Sequence, residues 1–91
     1  MYQCSKYNNQ LNVSSKKIKE LRLKNNMSLS GLSTKLALMG IDIPKPSLHK
    51  LEKGNRIIND YELYALSIVF NVPIEEILGD FITEFKNDAV V

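Results

Sequence analysis

The sequence predicts an all-α domain, and three features support this prediction. Apolar residues recur at spacings of three and four along most of the 91 residues, as they do on the buried face of a helix. Serine, asparagine, glycine and proline residues separate these segments at positions suited to helix ends. No segment alternates apolar and polar residues as a half-buried strand would. A chain of this length suits one domain with a single core.

The first two helices are predicted to start at serines. Ser14 or Ser15 can cap the first helix, in which Ile18 and Leu21 share a face. Ser28 can cap the second helix. The apolar face of this second helix is expected to contain Leu29, Leu32, Leu36 and Met39.

A connection with two isoleucines is expected between the second and third helices. Gly40 ends the second helix, because glycine enters the left-handed conformation at little cost. Ile41 and Ile43 are expected to bury beside Leu36 or Leu48 and to hold the connection rigid.

The third and fourth helices differ in how much of their surface is apolar. The third covers about residues 45–53, faces Leu48 and Leu51 inward, and ends at the glycine that follows. Asn59 or Asp60 can cap the fourth. Nearly all of the fourth helix is expected to be buried, and its apolar positions are Leu63, Ala65, Leu66, Ile68, Val69 and Phe70.

The last apolar segment follows Pro73 and keeps helical spacing through Gly79. Its apolar residues are Ile74, Ile77, Leu78, Phe81, Ile82 and Phe85. The predicted organisation is a flexible arm at residues 1–13, a helical domain at residues 14–79 and an extension at residues 80–91. In that extension, Phe81, Ile82 and Phe85 either pair two chains or cover the core.

Charge is distributed unevenly along the chain. The whole chain has a net charge of only +2, with 12 basic and 10 acidic residues. Residues 1–56 contain 11 basic and 3 acidic residues, whereas residues 57–91 contain 1 basic and 7 acidic residues. This asymmetry favours a polyanionic partner on one side of the molecule.

Several classes of site and function are disfavoured. Cys4 is the single cysteine, so it has no disulfide partner in the chain, and with His49 alone it does not make a zinc site. No apolar run approaches the roughly 20 residues of a membrane-spanning helix, so a cytoplasmic location is expected. With one histidine, no phosphate-binding glycine loop and no evident carboxylate pair, we expect neither an enzyme nor a cofactor or metal.

Three segments support a resemblance to a known family. They are Ile18-Lys-Glu-Leu-Arg22, Leu48-His-Lys-Leu-Glu52-Lys-Gly54 and Val72-Pro-Ile-Glu-Glu-Ile-Leu78. Together with Ser28, Leu32 and Lys35-Leu36, they resemble the Cro/C1-type helix-turn-helix family, also called the Xre family, over residues 15–79. The resemblance implies a compact, five-helix, lambda-repressor-like domain of bacterial or phage origin, with a C-terminal helical extension as one option.

The same resemblance implies a function and a set of site residues. Members are usually transcriptional repressors that place the third helix in the major groove of double-stranded DNA, and they commonly pair the residues matching Arg22 and Glu52. A homodimer is expected, because one short helix reads few base pairs. The expected DNA-binding residues are Ser28, Ser30, Lys45, Pro46, Ser47, His49, Lys50, Lys53, Asn55 and Arg56.

The chain also departs from the family pattern. Leu29 stands where many members have a phosphate-binding glutamine. The segment Pro44-Lys45-Pro46 replaces the usual serine or threonine cap, so Asp42 would have to substitute and the third helix could start only at Pro46. The link at residues 37–43 is that of the family's longer-turn branch.

These departures keep a second function open. The alternative is a protein-interaction module of the same fold, antitoxin-like or sequestering a regulator, with weak or no DNA binding. The two functions differ in salt dependence, because neutralising DNA phosphates makes affinity fall steeply as salt rises.

Overall fold

Five helices account for most of residues 10–79 and 81–83, which are the part of the chain that the computed structural model describes. Residues 81–83 are also helical, and no strand occurs in these ranges. The predicted all-α class is therefore confirmed. The helices are α1 (Ser15–Lys24), α2 (Leu29–Leu38), α3 (Lys45–Glu52), α4 (Asp60–Phe70) and α5 (Ile74–Leu78).

The core lies where α1 and α2 meet the other helices. α3 packs against α1 and α2, while α5 packs against α1 and α4. Burial of a leucine or isoleucine side chain stabilises the fold by about 1.5–3 kcal/mol. The buried apolar residues are Ile18, Leu21, Leu32, Leu36, Ile43, Leu48, Leu51, Ala65, Leu66, Phe70 and Ile77.

The starts of α1 and α2 are stabilised differently. The Ser28 hydroxyl oxygen accepts the Gly31 amide at 2.9 Å, which is the predicted cap of α2. Ser14 precedes α1, but its side chain makes no capping hydrogen bond. The Ser14 amide instead donates to Asn12 Oδ1 at 3.0 Å. The approach to α1 therefore depends on a residue upstream of the helix.

The connection between α2 and α3 is buried and hydrogen-bonded. Ile43 is fully buried, and Ile41 packs partly buried against the core. The Ser33 hydroxyl donates to the Ile43 carbonyl at 2.7 Å, and the Ile41 amide donates to the Leu36 carbonyl at 2.9 Å. These contacts hold α3 against α2 through a long link.

Two expectations about α2 and α3 were wrong in detail. Met39 follows the last residue of α2 and is 40% exposed, so it lies off the core. α3 starts at Lys45 and not at Pro46, with Pro44 preceding it. Pro46 fits the first turn of α3, because amides there have no acceptor within the helix and proline has no amide hydrogen to donate. Among the described residues, no side chain caps α3, and Asp42 is exposed.

The expectation that nearly all of α4 is buried was also wrong. Tyr61, Tyr64 and Ile68 are between 51% and 59% exposed. Helical periodicity explains the difference, because a helix packed on one side leaves residues at spacings of three and four exposed on the other. We call these three residues the α4 face.

The last helix is shorter than its periodicity predicts. α5 ends at Leu78, because Gly79 takes a backbone conformation (φ 62°, ψ −137°) that breaks the helix. Phe81 and Ile82 lie in the next helical stretch and are half-buried. Phe85 lies outside the described residues.

The segment before α1 is attached to the domain. The Leu11 amide donates to the Gly54 carbonyl at 2.8 Å. The predicted flexible arm covered residues 1–13, and residues 1–9 lie outside the described residues. Residues 11 and 12 are hydrogen-bonded to the end of α3 and to the loop after it.

Candidate nucleic-acid interface

The outer face of α3 brings together most of the predicted DNA-binding side chains. Leu48 and Leu51 are fully buried and fix the rotation of the helix. Lys45, His49 and Lys50 are therefore exposed on the opposite side, as are Pro46 and Lys53. Ser47 is half-buried beside them. This face offers lysine and imidazole donors of the kind that bind guanine edges or phosphates.

The lysines of this face have no acidic partner in the part of the chain that the structure describes. Among the described residues, Lys45, Lys50 and Lys53 form no ion pair with an acidic side chain. Glu52, the acidic residue of α3, is paired with Arg22 instead. The surface around α3 is consequently positive, which suits a phosphate backbone.

The Arg22–Glu52 pair fixes the position of α3. Arg22 Nε donates to Glu52 Oε2 at 2.7 Å, and Nη2 donates to Oε1 at 3.0 Å. The third nitrogen, Nη1, donates to the Met27 carbonyl at 2.8 Å in the turn before α2. The hydrogen bond and the attraction of Glu52 raise the pKa of Arg22 above its ordinary value, against the effect of burial. One guanidinium therefore joins α1, the turn before α2 and the end of α3.

A second ion pair holds the loop after α3. Arg56 Nη1 and Nη2 donate to the two carboxylate oxygens of Glu62, each at 2.9 Å. The main-chain amide of Asn59 donates to the same carboxylate at 3.0 Å. The hydrogen bonds from Arg56 lower the pKa of Glu62, helped by the Asn59 amide and opposed by burial. The guanidinium of Arg56, a residue expected to bind DNA, is thus hydrogen-bonded to Glu62 of the same chain.

Sequence reasoning missed Glu62 as part of this site. Its spacing of three residues from Asn59 is that of a capping box, in which an acidic side chain returns to the amide of the cap residue. Such a spacing is a signal for a helix start. It gave no indication that Arg56 would reach the same carboxylate.

The start of α2 supplies backbone donors. Ser28 and Ser30 are both exposed. The first amides of a helix have no acceptor within it, and they carry partial positive charge. Leu29, which replaces the family's glutamine, packs partly buried against the core and offers no polar group. This end of the site therefore relies on serines and main-chain amides.

A cleft lies between α3 and the loop that follows it. Its volume is about 420 Å³. Ser47 and Lys50 contribute from α3, and Asn55 and Arg56 contribute from the loop. The remaining lining residues are Leu11, Ile57 and Asn59.

The fold and this positive surface define a helix-turn-helix protein, in which α2 and α3 are the helix-turn-helix pair. A family model described as helix-turn-helix matches residues 18–77, which is 60 of the 91 residues. The chain belongs to the Cro/C1-type, or Xre, helix-turn-helix family. This is a family of DNA-binding regulators and not typically of enzymes. Searches of curated proteins and of solved structures found no match.

Two further findings concern the described residues alone. None of their helices has both the length and the apolar character needed to cross a membrane. Within the same ranges, no three histidine, cysteine or acidic side chains are grouped as metal ligands.

Proposed function

We propose that this protein is a sequence-specific, double-stranded DNA-binding transcriptional repressor in the cytoplasm. The single observation that supports this most strongly is the exposed face formed by α3 and Lys53. Among the described residues, the three lysines of this face have no acidic partner, whereas Glu52 and Glu62 are paired with arginines. A bound repressor would occupy promoter DNA and exclude RNA polymerase.

The residues of the site have separate roles in this proposal. Lys45, His49 and Lys50 face base edges in the major groove, with Pro46 and Ser47 in contact beside them. Lys53 and Asn55 bind phosphates after α3. Phosphates on the other side are bound by Ser28 and Ser30 with the first amides of α2. We assign Arg56 a supporting role, because Glu62 occupies its guanidinium.

The experiment that tests base reading is selection of bound sites from random duplexes. It is performed with the wild-type protein, Lys50→Ala and Lys53→Ala. A base-reading Lys50 should change the preferred sequence when it is replaced, whereas a phosphate-binding Lys53 should weaken all sites alike. Selection of the same sequences at the same relative strength by all three proteins would contradict the assignment.

A homodimer is part of the proposal. Two copies related by a two-fold axis would read half-sites about 34–36 Å apart. The α4 face suits this contact better than Phe81 and Ile82, because its side chains are more than half exposed and the other two are half-buried. Tyr61, Tyr64 and Ile68 are also uncharged, so two copies can meet there without like-charge repulsion. Phe81 and Ile82 then cover the core.

The second candidate function is a protein-interaction module of the same fold. The α4 face and the missing phosphate-binding glutamine at Leu29 favour it. It requires neither the lysines of α3 nor a polyanion. Two observations would support the interaction module. The Lys50→Ala variant would still bind the protein partner, and the wild type would have little affinity for any duplex.

A further inference from the structure

Asn12, which precedes α1, connects the two ends of the loop after α3. Its Nδ2 donates to the Leu51 carbonyl at 3.0 Å and to the Arg56 carbonyl at 2.9 Å. These carbonyls lie 39 and 44 residues further along the chain. One side-chain amide therefore closes the segment that contains Lys53 and Asn55.

Two more contacts hold the same segment from either side. The Leu11 amide donates to the Gly54 carbonyl at 2.8 Å, in the middle of the loop. On the far side, the two Nη atoms of Arg56 donate to Glu62 of α4. The loop is thus fixed at its start, its middle and its end, while Lys53 and Asn55 remain exposed.

We propose that Asn12 is a positioning residue for DNA binding, which orders the loop after α3 so that Lys53 and Asn55 meet the phosphate backbone without first having to be immobilised. This rests on the proposed function, because it deepens the role given there to Lys53 and Asn55. Asn12 itself does not touch DNA.

The physical reason lies in the entropy of binding. Ordering a mobile loop or a long side chain on association reduces the affinity that its contacts provide, and a loop already held in the bound conformation avoids that loss. The Leu51 and Arg56 carbonyls are five residues apart in the chain, and Asn12 binds both. Without its amide, the loop keeps the Leu11 and Glu62 contacts and the bonds from its own amides to α3 carbonyls, but both carbonyls that Asn12 binds lose their bond to the segment before α1.

Asn12 also makes a local contact that has to be separated from this role. Its Oδ1 accepts the Ser14 amide at 3.0 Å, which shapes the entry into α1. Serine can make the same short-range turn but cannot reach Leu51 and Arg56. Asn12→Ser therefore keeps the local turn and removes the two long-range bonds, whereas Asn12→Ala removes all three.

Asn25→Ala is the matched control. The Asn25 side-chain amide also donates to a helix-terminal carbonyl, that of Leu21 at 2.7 Å, but at the other end of α1. All three variants keep the charge of the protein, so long-range attraction to DNA does not change. Each is assayed well below its melting temperature, as determined by circular dichroism.

The experiment measures duplex affinity and amide hydrogen exchange for the full chain. We expect Asn12→Ser and Asn12→Ala to weaken binding to selected and random duplexes alike, by about fivefold to thirtyfold. The preferred sequence should not change, and exchange should accelerate at residues 53–55, whose amides donate to α3 carbonyls. Asn25→Ala should bind as the wild type does.

Each contrary result leads to one conclusion. If Asn12→Ser binds as the wild type does, Asn12 serves only the turn into α1 and the inference is wrong while the proposed function stands. The same holds if Asn25→Ala weakens binding equally at an equal loss of melting temperature. If the wild-type chain binds no duplex, the proposed function fails and the inference fails with it.

Discussion

Arg22 joins three parts of the molecule through one guanidinium, and its loss should be costly. The side chains of Arg22 and Glu52 are only 10% and 5% exposed. Replacing Arg22 would leave the Glu52 carboxylate without its partner in a largely buried position, where an unpaired charge is unfavourable.

We expect Arg22→Ala to lower the free energy of unfolding by about 3–5 kcal/mol. Lys24→Ala is the control, since Lys24 is exposed on the same helix, and its effect should stay within about 0.5 kcal/mol. Urea denaturation of both variants measures the difference. Equal effects would show that the ion pair contributes no more than a surface contact.

Glu62 makes the stability of the domain depend on pH at the acid end. Its pKa is lowered from the ordinary 4.5, mainly by the hydrogen bonds from Arg56. A carboxylate with a lowered pKa stabilises the folded state fully above the unfolded value, and this stabilisation is lost as pH falls through the lowered value.

Glu62→Gln should therefore destabilise the protein near pH 7 and make progressively less difference below pH 4.5. The measurement is the free energy of unfolding of the variant and the wild type across this range. Glu75→Gln, at an exposed position of α5, is the control. A difference that stays constant with pH would contradict the role given to the Arg56–Glu62 pair.

At this scale the sequence predicted one ion pair and missed the other. Arg22 and Glu52 were paired only through the family resemblance, because nothing in their spacing of 30 residues implies a contact. Arg56 was assigned to DNA for its position after α3. Its partner Glu62 could not be foreseen, since the choice between a phosphate and a carboxylate depends on how the loop folds.

Two helix ends with left-handed glycines provide a comparison at the scale of elements. Gly40 has φ 81° and Gly54 has φ 79°, so alanine is strained at both, by about 1–2 kcal/mol. A Cβ atom at Gly40 would meet no atom of the described residues within 4 Å. At Gly54 it would lie 2.8 Å from Gln10 Cδ, on the segment that leads to Asn12.

We expect Gly54→Ala to be more destabilising than Gly40→Ala, because only the former displaces the segment before α1. Thermal unfolding of both variants measures the excess. The Gln10→Ala background is the internal control, since removing the side chain should remove most of the excess. If Gly54→Ala remains more destabilising than Gly40→Ala in that background, the steric clash is not with the Gln10 side chain.

The elements themselves were largely predictable, and their ends and faces were not. Apolar spacing located all five helices, because local periodicity records which face is buried. The extent of burial on α4 depends on how many helices surround it, and periodicity contains no such information for Ile68. Gly79 ends α5 through its backbone conformation, although the apolar spacing runs on.

The whole molecule combines a positive surface around α3 with the exposed, uncharged α4 face. If that face forms the dimer, Ile68→Lys should weaken self-association, because two copies would bring like charges together in an apolar contact. Leu38→Lys, at an 83% exposed position of α2, is the control and should leave association unchanged. Analytical ultracentrifugation with and without duplex DNA measures both. Equal self-association of the two variants would exclude the α4 face as the dimer contact.

The salt dependence of duplex binding tests the central claim most directly. Affinity for a short duplex is measured at several salt concentrations for the wild type and for Lys53→Ala. The account predicts that log affinity falls linearly with log salt, by about 0.9 for each neutralised phosphate, and that Lys53→Ala reduces this slope by about 1. A wild-type affinity that is weak and independent of salt would contradict DNA binding by α3 and the loop after it.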